Sequence, residues 1–256
     1  EVSASKPVLK FLMIIIACVF LVIGIVDPQI GSKLEKVKRE GIDLYLVLDV
    51  STSMLAEDIK PNRLERSKLA ISTLIDKLQG DRVGIIIFAG NAYKQLPLTT
   101  DYSAAKIFLS AVDTEIVPTQ GTAIGEAIEL AALSFGDTDH NKAIIIITDG
   151  ENHEGDAIEA ATLANELNIN VFTIGMGLPE GAPIPLYNSY GVQTGFKKDK
   201  NNTTVITKLN EDMLRQIAAA GGGAYARANN ASTGLKRIFD DISAIDKKEI
   251  ETRQFT

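Results

Sequence analysis

The chain has 256 residues, a formal net charge of −7 and a sequence pI near 5.0, and this acidic balance gives no reason to expect a nucleic acid as partner. Its single cysteine, Cys18, excludes intrachain disulfides and cysteine-based metal sites. Roughly 215 residues remain outside one long hydrophobic segment, which is enough for one large domain with a sizeable core.

The first predicted element is a hydrophobic helix. Residues 11–26 contain no charged side chain, and with the apolar residues just before them they approach the roughly 20 residues that a helix needs to span a bilayer. We therefore predict a transmembrane helix over residues 8–28, between a short stub at 1–7 and a juxtamembrane linker at 29–40. A secretory signal peptide is the main alternative, although no small-residue cleavage pattern follows the segment.

Four apolar runs follow without polar alternation, as expected of strands that are covered on both faces of a parallel sheet. They occupy residues 44–48, 83–88, 143–147 and 171–174. Segments with helical periodicity lie between and after them, at residues 64–78, 123–135, 157–167, 213–218 and 235–242. This order predicts an α/β fold with a doubly wound, Rossmann-like, mostly parallel sheet flanked by helices.

Two segments depart from this alternation. Residues 92–98 directly follow a Gly-Asn turn, which predicts an antiparallel edge strand paired with 83–88. Residues 179–208 combine turn signals with short β-prone pieces, which predicts a hairpin-like insertion, with a mobile surface loop as the alternative. The predicted domain covers residues 41–246 and is followed by a C-terminal linker at 247–256.

Oxygen-bearing side chains cluster at the carboxyl ends of the predicted strands. Asp49, Ser51 and Ser53 stand at and after the end of the first strand, Asp149 follows the third run, and Thr122 precedes a predicted helix. Residues i, i+2 and i+4 of an extended backbone face one side, and strand ends in a doubly wound sheet form one rim. We therefore predict that these five residues hold a hard divalent cation such as Mg²⁺.

Each part of this motif also has a purely structural interpretation. Ser51, Ser53 and Thr122 could cap the helices that follow them, and Asp149 with Gly150 is an ordinary turn pair. The metal-site prediction depends on all three parts occurring together in the expected order.

The combination resembles a known family. DVSTS at 49–53, Thr122 after a glycine and TDG at 148–150 resemble the metal-ion-dependent adhesion site of von Willebrand factor type A domains, over about residues 40–245. The resemblance implies that the two serines and the threonine contact the metal, which is Mg²⁺, Mn²⁺ or Ca²⁺. It also implies that the aspartates bind directly or through water, that a partner's Asp or Glu completes the coordination, and that the loop at 119–125 moves.

A narrower likeness concerns the bacterial Bat proteins, which are membrane-bound von Willebrand A proteins named for aerotolerance in Bacteroides. It is carried by DLYLVLDVSTSM, NRLERSK, GDRVGIIIFAG, LTTDYSAAK and TDGENHEGD. This resemblance implies the inner membrane, a periplasmic domain, and other Bat-type membrane proteins and a MoxR-type AAA+ ATPase as partners. The basic residues after the hydrophobic segment, taken alone, would instead put the domain in the cytoplasm.

We therefore predict a membrane-anchored domain for metal-dependent protein–protein interaction, and not an enzyme. The alternative is a metal-dependent hydrolase or phosphatase with Asp49 as nucleophile. In phosphatases of the haloacid dehalogenase type, a second Asp stands where this chain has Ser51, so the proton donor is missing. A third possibility is a structural von Willebrand A domain whose site is unused.

Overall fold

A computed structural model of the chain describes residues 5–26, 41–136, 138, 140–151, 156–228, 234, 237, 238 and 240–242. The chain divides into two units, at residues 1–39 and 40–256. The described part of the first unit is helix α1, Ser5–Val26, whose apolar side chains from Leu9 to Leu21 are exposed. In the part of the chain that the structure describes, no helix meets both the length and the hydropathy that a membrane span requires. The transmembrane anchor therefore stays a prediction, and both predicted linkers lie outside the described residues.

The second unit contains a six-stranded sheet. Its strands are β1 Asp43–Asp49, β2 Arg82–Phe88, β3 Ala92–Thr99, β4 Lys142–Thr148, β5 Ile169–Gly175 and β10 Gly222–Arg227. Their order in the sheet is β10-β5-β4-β1-β2-β3. All neighbouring strands are parallel except β2 and β3, which are antiparallel, so the predicted edge strand is confirmed.

Helices cover both faces of this sheet, as predicted. They are α2 Arg63–Ile75, α3 Tyr102–Ser110, α4 Ile124–Ser134, α5 Ala157–Glu166 and α6 Glu211–Ala220. Side chains along β1 alternate between two cores: Leu46 belongs to the core that contains residues of α2 and α3, whereas Val47 belongs to the core that contains residues of α4, α5 and α6. Both faces of β1 are buried, which explains why its sequence is apolar without alternation.

Two elements were not predicted, the helix α3 and the strand β10. α3 is short, with only Ala105 and Leu109 buried, and the apolar Ile107 and Phe108 point outward, so its sequence lacks a clear apolar stripe. β10 has the sequence GGAYAR, whose small residues give no strand signal. The predicted helix at 235–242 is helical at the five of its residues that are described, and its other positions lie outside them.

The predicted insertion, residues 179–208, consists of two short antiparallel ladders, and we call it the arm. β6 Ala182–Pro183 pairs with β9 Ile206–Thr207 at its base, and β7 Pro185–Tyr187 pairs with β8 Gln193–Phe196 further out. The base of the arm follows β5 and precedes α6, which places it beside the carboxyl ends of the central strands.

The sheet order creates a crevice at those carboxyl ends. The loop after β1 leads to α2 on one face, and the loop after the adjacent β4 leads to α5 on the other. Loops that diverge to opposite faces leave an opening between the two strand ends, which is where doubly wound proteins bind ligands.

Candidate metal site

Asp49 is the innermost side chain of the site and is fully buried at the end of β1. Its Oδ1 accepts a 2.8 Å bond from the backbone amide of Ser51, and its Oδ2 accepts a 2.6 Å bond from the hydroxyl of Thr148. Both donors are uncharged. Burial, followed by the nearby Asp149, raises the pKa of Asp49 to about 7.

Ser51 and Ser53 stand on the first loop, with their Oγ atoms 2.9 Å apart. Ser51 precedes a short 3₁₀ turn, Thr52–Leu55, but its side chain makes no capping bond to that turn. The capping alternative is therefore wrong for Ser51. Its hydroxyl is instead directed toward that of Ser53, as two ligands of one ion would be.

Thr122 lies on a second loop, almost fully buried, immediately before α4. The residue at the N-cap position is Ala123, and the described residues provide no side-chain capping bond to this helix, so the capping alternative is wrong for Thr122 as well. The amide of Ala123 donates to the carbonyl of Ala89, which holds this loop against the end of β2.

Asp149 follows β4 and is fully buried. Its Oδ2 accepts a 2.9 Å bond from Nη1 of Arg63, and its Oδ1 accepts a 3.2 Å bond from the amide of Glu151. The next residue, Gly150, has φ = +75°, and an added Cβ would lie 2.8 Å from the carbonyl oxygen of Asn210. Only glycine fits this turn without strain, so the turn pair has a structural role as well.

The three loops surround one open cleft of about 400 Å³. Ser51, Ser53 and Thr122 line it, while the carboxylates of Asp49 and Asp149 lie behind them. The other side of the cleft comes from Glu151 and from the arm, which contributes Ile184, Lys197, Val205 and Thr207. All five residues predicted from the sequence thus belong to one region of the structure.

The chemistry of these side chains fits a divalent cation. Every donor is an oxygen, and two buried carboxylates stand close enough for Asp149 to raise the pKa of Asp49. Among the described residues, no group of three or more His, Cys, Asp or Glu side chains is placed to hold a metal ion, so any cation here depends on the hydroxyls. A bound cation would supply the positive charge that the uncharged donors to Asp49 lack.

Three residues that shape the site were missed by the sequence analysis. Thr148 joins the two aspartate loops, because its Oγ1 donates to Asp49 and accepts a 3.1 Å bond from the amide of Gly150. Gln120 joins the serine and threonine loops, because its Oε1 accepts bonds from the amide and the hydroxyl of Thr52. Arg63 is a fully buried cation next to Asp149. Thr148 and Arg63 lie within the quoted segments TDG and NRLERSK, but nothing in the sequence assigned either of them, or Gln120, to the site.

Comparison with known proteins supports the fold described above. The sequence profile of the von Willebrand factor type A domain matches residues 44–151. A UPF0353 protein of Nocardia farcinica is 30% identical over 250 residues, which cover 90% of this chain and 70% of the relative. The chain belongs to the von Willebrand factor type A family. Some relatives are longer: this von Willebrand A chain spans 62% of an uncharacterized Borreliella burgdorferi protein that is 29% identical.

Solved structures extend the comparison. BatB of Bacteroides thetaiotaomicron is 47% identical, with a TM-score of 0.77 over 81% of this chain and 100% of that one. An aerotolerance-related membrane protein of Bacteroides fragilis is 45% identical, with a TM-score of 0.75 over 80% and 100%. The mussel byssus protein proximal thread matrix protein 1 shares the fold, at 21% identity and a TM-score of 0.55 over 81% and 44%. That mussel protein was solved with zinc in its metal-ion-dependent adhesion site.

Proposed function

We propose that this von Willebrand A domain mediates protein–protein interaction that depends on a divalent cation, Mg²⁺ or alternatively Mn²⁺ or Ca²⁺. The observation that carries the proposal is the convergence of three hydroxyl-bearing side chains on one open cleft, with two buried carboxylates behind them. When bound, the cation supplies a Lewis-acidic position for an outside oxygen ligand.

The chain's own residues define what the partner must bring. Ser51, Ser53 and Thr122 would hold the cation, with Asp49 and Asp149 balancing its charge. The cleft is open to solvent, and Lys197 of the arm adds positive charge to its lining. A carboxylate from an Asp or Glu of another protein is the group that satisfies both features.

Interaction is favoured over hydrolysis by the surroundings of Asp49. Both of its oxygens already accept bonds, from Thr148 and from the amide of Ser51. The residue two positions after Asp49 is Ser51, whose hydroxyl lies 2.9 Å from that of Ser53. A serine at this position cannot act as the carboxylic acid that would donate a proton in hydrolysis.

We further propose that the domain is attached to the bacterial inner membrane, on the periplasmic side, and acts with other Bat-type membrane proteins and a MoxR-type AAA+ ATPase. The support is its 45% identity to a protein described as an aerotolerance-related membrane protein, together with the apolar sequence of α1. Protease protection in membrane vesicles of known orientation would test this, and a domain that is cleaved only from the cytoplasmic face would contradict it.

The first experiment is calorimetric titration of Mg²⁺ and Mn²⁺ into the full chain. We expect saturable binding by the wild type and its loss in the double variant Asp49→Ala/Ser51→Ala. A double variant with the same residue types at exposed positions, Asp113→Ala/Ser110→Ala, is the matched control and should bind like the wild type. Circular dichroism verifies that each variant is folded.

Equal titrations of the wild type and the Asp49→Ala/Ser51→Ala variant would reject the adhesion-site interpretation. If binding is confirmed, Mg²⁺-dependent capture of candidate Bat-type partners, compared with capture in chelator, tests the interaction itself.

A further inference from the structure

Arg63 is the first residue of α2, and its guanidinium is fully buried beneath the cleft. It donates from Nε and Nη2 to the two carboxylate oxygens of Asp58, at 2.9 and 2.7 Å. Nη1 donates to Asp149 Oδ2 at 2.9 Å and to Thr207 Oγ1 at 3.1 Å, and Nη2 reaches the carbonyl of Thr207 at 3.3 Å. One side chain therefore contacts the loop before α2, a proposed cation ligand and the base of the arm.

The surroundings of Arg63 are built to fit a guanidinium. Gly177 has φ = +134°, and an added Cβ would lie 2.8 Å from three guanidinium atoms. The amide of Leu178 donates to Asp58 Oδ2 at 2.8 Å. This bond fixes the position of the carboxylate to which Arg63 donates. A lysine ammonium could carry the charge but could not reproduce the two parallel bonds to Asp58.

A buried ion pair of this kind is weak evidence for a role in stability alone. The cost of removing the charges from water is comparable to the gain from pairing them, and apolar replacements are often as stable. In addition to pairing with Asp58, Arg63 holds the carboxylate of Asp149 through Oδ2. Thr207 Oγ1 also donates to this oxygen, at 3.2 Å, so the carboxylate is shared between Arg63 and the arm.

The arm base is joined to the cation loops at a second point as well. The amide of Lys208 donates to Glu151 Oε1 at 3.0 Å, and the side chain of Glu151 lines the cleft. Thr207 itself pairs with Ala182 in the ladder between β6 and β9. We therefore expect that restricting the motion of the Asp149 carboxylate also restricts the ladder between β6 and β9.

We propose that Arg63 is a positioning residue that couples cation binding in the cleft to the stability of the arm base. This inference rests on the proposed function. Arg63 and Thr207 both donate to Asp149 Oδ2, and a cation bound by Ser51, Ser53 and Thr122 would attract the same carboxylate. Restraining the carboxylate with the cation as well keeps the Thr207 bond formed, so the ladder between β6 and β9 opens less often. Because the arm lines the cleft, the surface offered to a partner becomes ordered when the cation binds.

Hydrogen–deuterium exchange of the full chain, measured with and without saturating Mg²⁺, tests this coupling. In the wild type we expect Mg²⁺ to slow exchange in peptides covering residues 182–184 and 205–208 by about fivefold, the lower end of usual coupling between two sites. Thr207→Val removes the shared hydroxyl but leaves every proposed ligand in place. In that variant, at Mg²⁺ concentrations that saturate its own site, the slowing should fall below about twofold.

Thr203→Val, an exposed substitution in the same arm, is the matched control and should keep the wild-type response. Arg63→Lys keeps the charge but loses the two parallel bonds to Asp58. In this variant, too, saturating Mg²⁺ should no longer slow exchange at the arm base.

The titration separates the two possible failures. The coupling would be overturned if the wild type binds Mg²⁺ but exchange at the arm base does not slow. It would also be overturned if the Thr207→Val variant responds like the wild type. Either result would leave the proposed function standing. A wild type that binds no divalent cation would overturn the proposed function itself.

Discussion

At the residue scale, the side chains that support the proposed ligands matter as much as the ligands. Thr148 carries no proposed bond to the cation, yet its hydroxyl orients Asp49 and the turn at Gly150. Hydrogen bonds of this supporting kind fix the position and the basicity of a ligand before the metal arrives.

Replacing Thr148 with valine should therefore weaken Mg²⁺ binding about tenfold, because the shape is kept while the bond to Asp49 is lost. Calorimetric titration of the full chain measures the effect. Thr148→Ser keeps the hydroxyl and should bind within about threefold of the wild type. Unchanged affinity in Thr148→Val would mean that Asp49 does not depend on this bond.

The sequence predicted the proposed ligands but not the residues behind them, and the reason is physical. DVSTS and TDG lie in short loops whose positions follow from the strands that precede them. Arg63 looks like an ordinary surface cation in a helix, because arginine is rarely fully buried. Its burial depends on Asp58, Asp149 and Thr207, and the last two are 86 and 144 residues away in sequence.

At the scale of elements, α2 links the site to the core. Its apolar stripe, which includes Ile71 and Ile75, packs against the sheet, and its first residue is Arg63. The helix begins there because Oδ1 of Asn62 accepts a 2.8 Å bond from the amide of Glu65. A defined start of this helix is therefore a condition for placing the guanidinium.

Replacing Asn62 with alanine should lower the free energy of unfolding by about 1 kcal/mol, because the first turn loses its cap. Urea denaturation of the full chain measures this change. Asn62→Asp preserves a capping oxygen and should cost much less. If Asn62→Ala were as stable as the wild type, the cap would not be what fixes the start of α2.

Strands covered on both faces were predictable, whereas elements at the margins of the sheet were not. β1, β2, β4 and β5 are recognisable because two layers of helices bury them, so their residues are mostly apolar without alternation. β10 pairs with another strand on one side only. Its GGAYAR sequence consists mainly of small residues, so it lacks the large apolar side chains that mark a buried strand. Such a strand forms because it can pair with the backbone of β5, and its own sequence contains no pattern that predicts this pairing.

At the scale of the whole molecule, a second polar cluster lies at the opposite end of β1. The fully buried Asp43 accepts bonds from Nε of Arg82 at 2.7 Å and from the hydroxyl of Thr138 at 2.9 Å, and Nδ1 of His140 lies 2.9 Å from it. Burial raises the pKa of Asp43, but the bonds from Arg82, His140 and Thr138 outweigh it, so the net shift is downward.

A carboxyl whose pKa is lowered by folding stabilises the fold above its ordinary pKa of 3.8, and this contribution is lost as the pH falls through the lower folded value. Asp43→Asn should lower the free energy of unfolding by about 1–3 kcal/mol at pH 7. The difference from the wild type should narrow below about pH 4.

Urea denaturation across this pH range checks the sign. Asp76→Asn, which removes a more exposed ion pair with Lys106, is the control and should change stability by no more than about 0.5 kcal/mol. The difference in the free energy of unfolding between Asp43→Asn and the wild type should not grow as the pH falls. If it did, the pKa of Asp43 would not be lowered by folding.

The antiparallel edge strand β3 carries residues that oppose strand pairing between copies of the domain. Its exposed positions include Lys94 and Pro97. A proline offers no amide hydrogen to an incoming strand, and a lysine at an edge carries charge that must stay in water. Copies of the domain brought close together, as on a crowded surface, are therefore hindered from adding strand to strand through β3. This edge of the sheet is protected against the growth of fibrils.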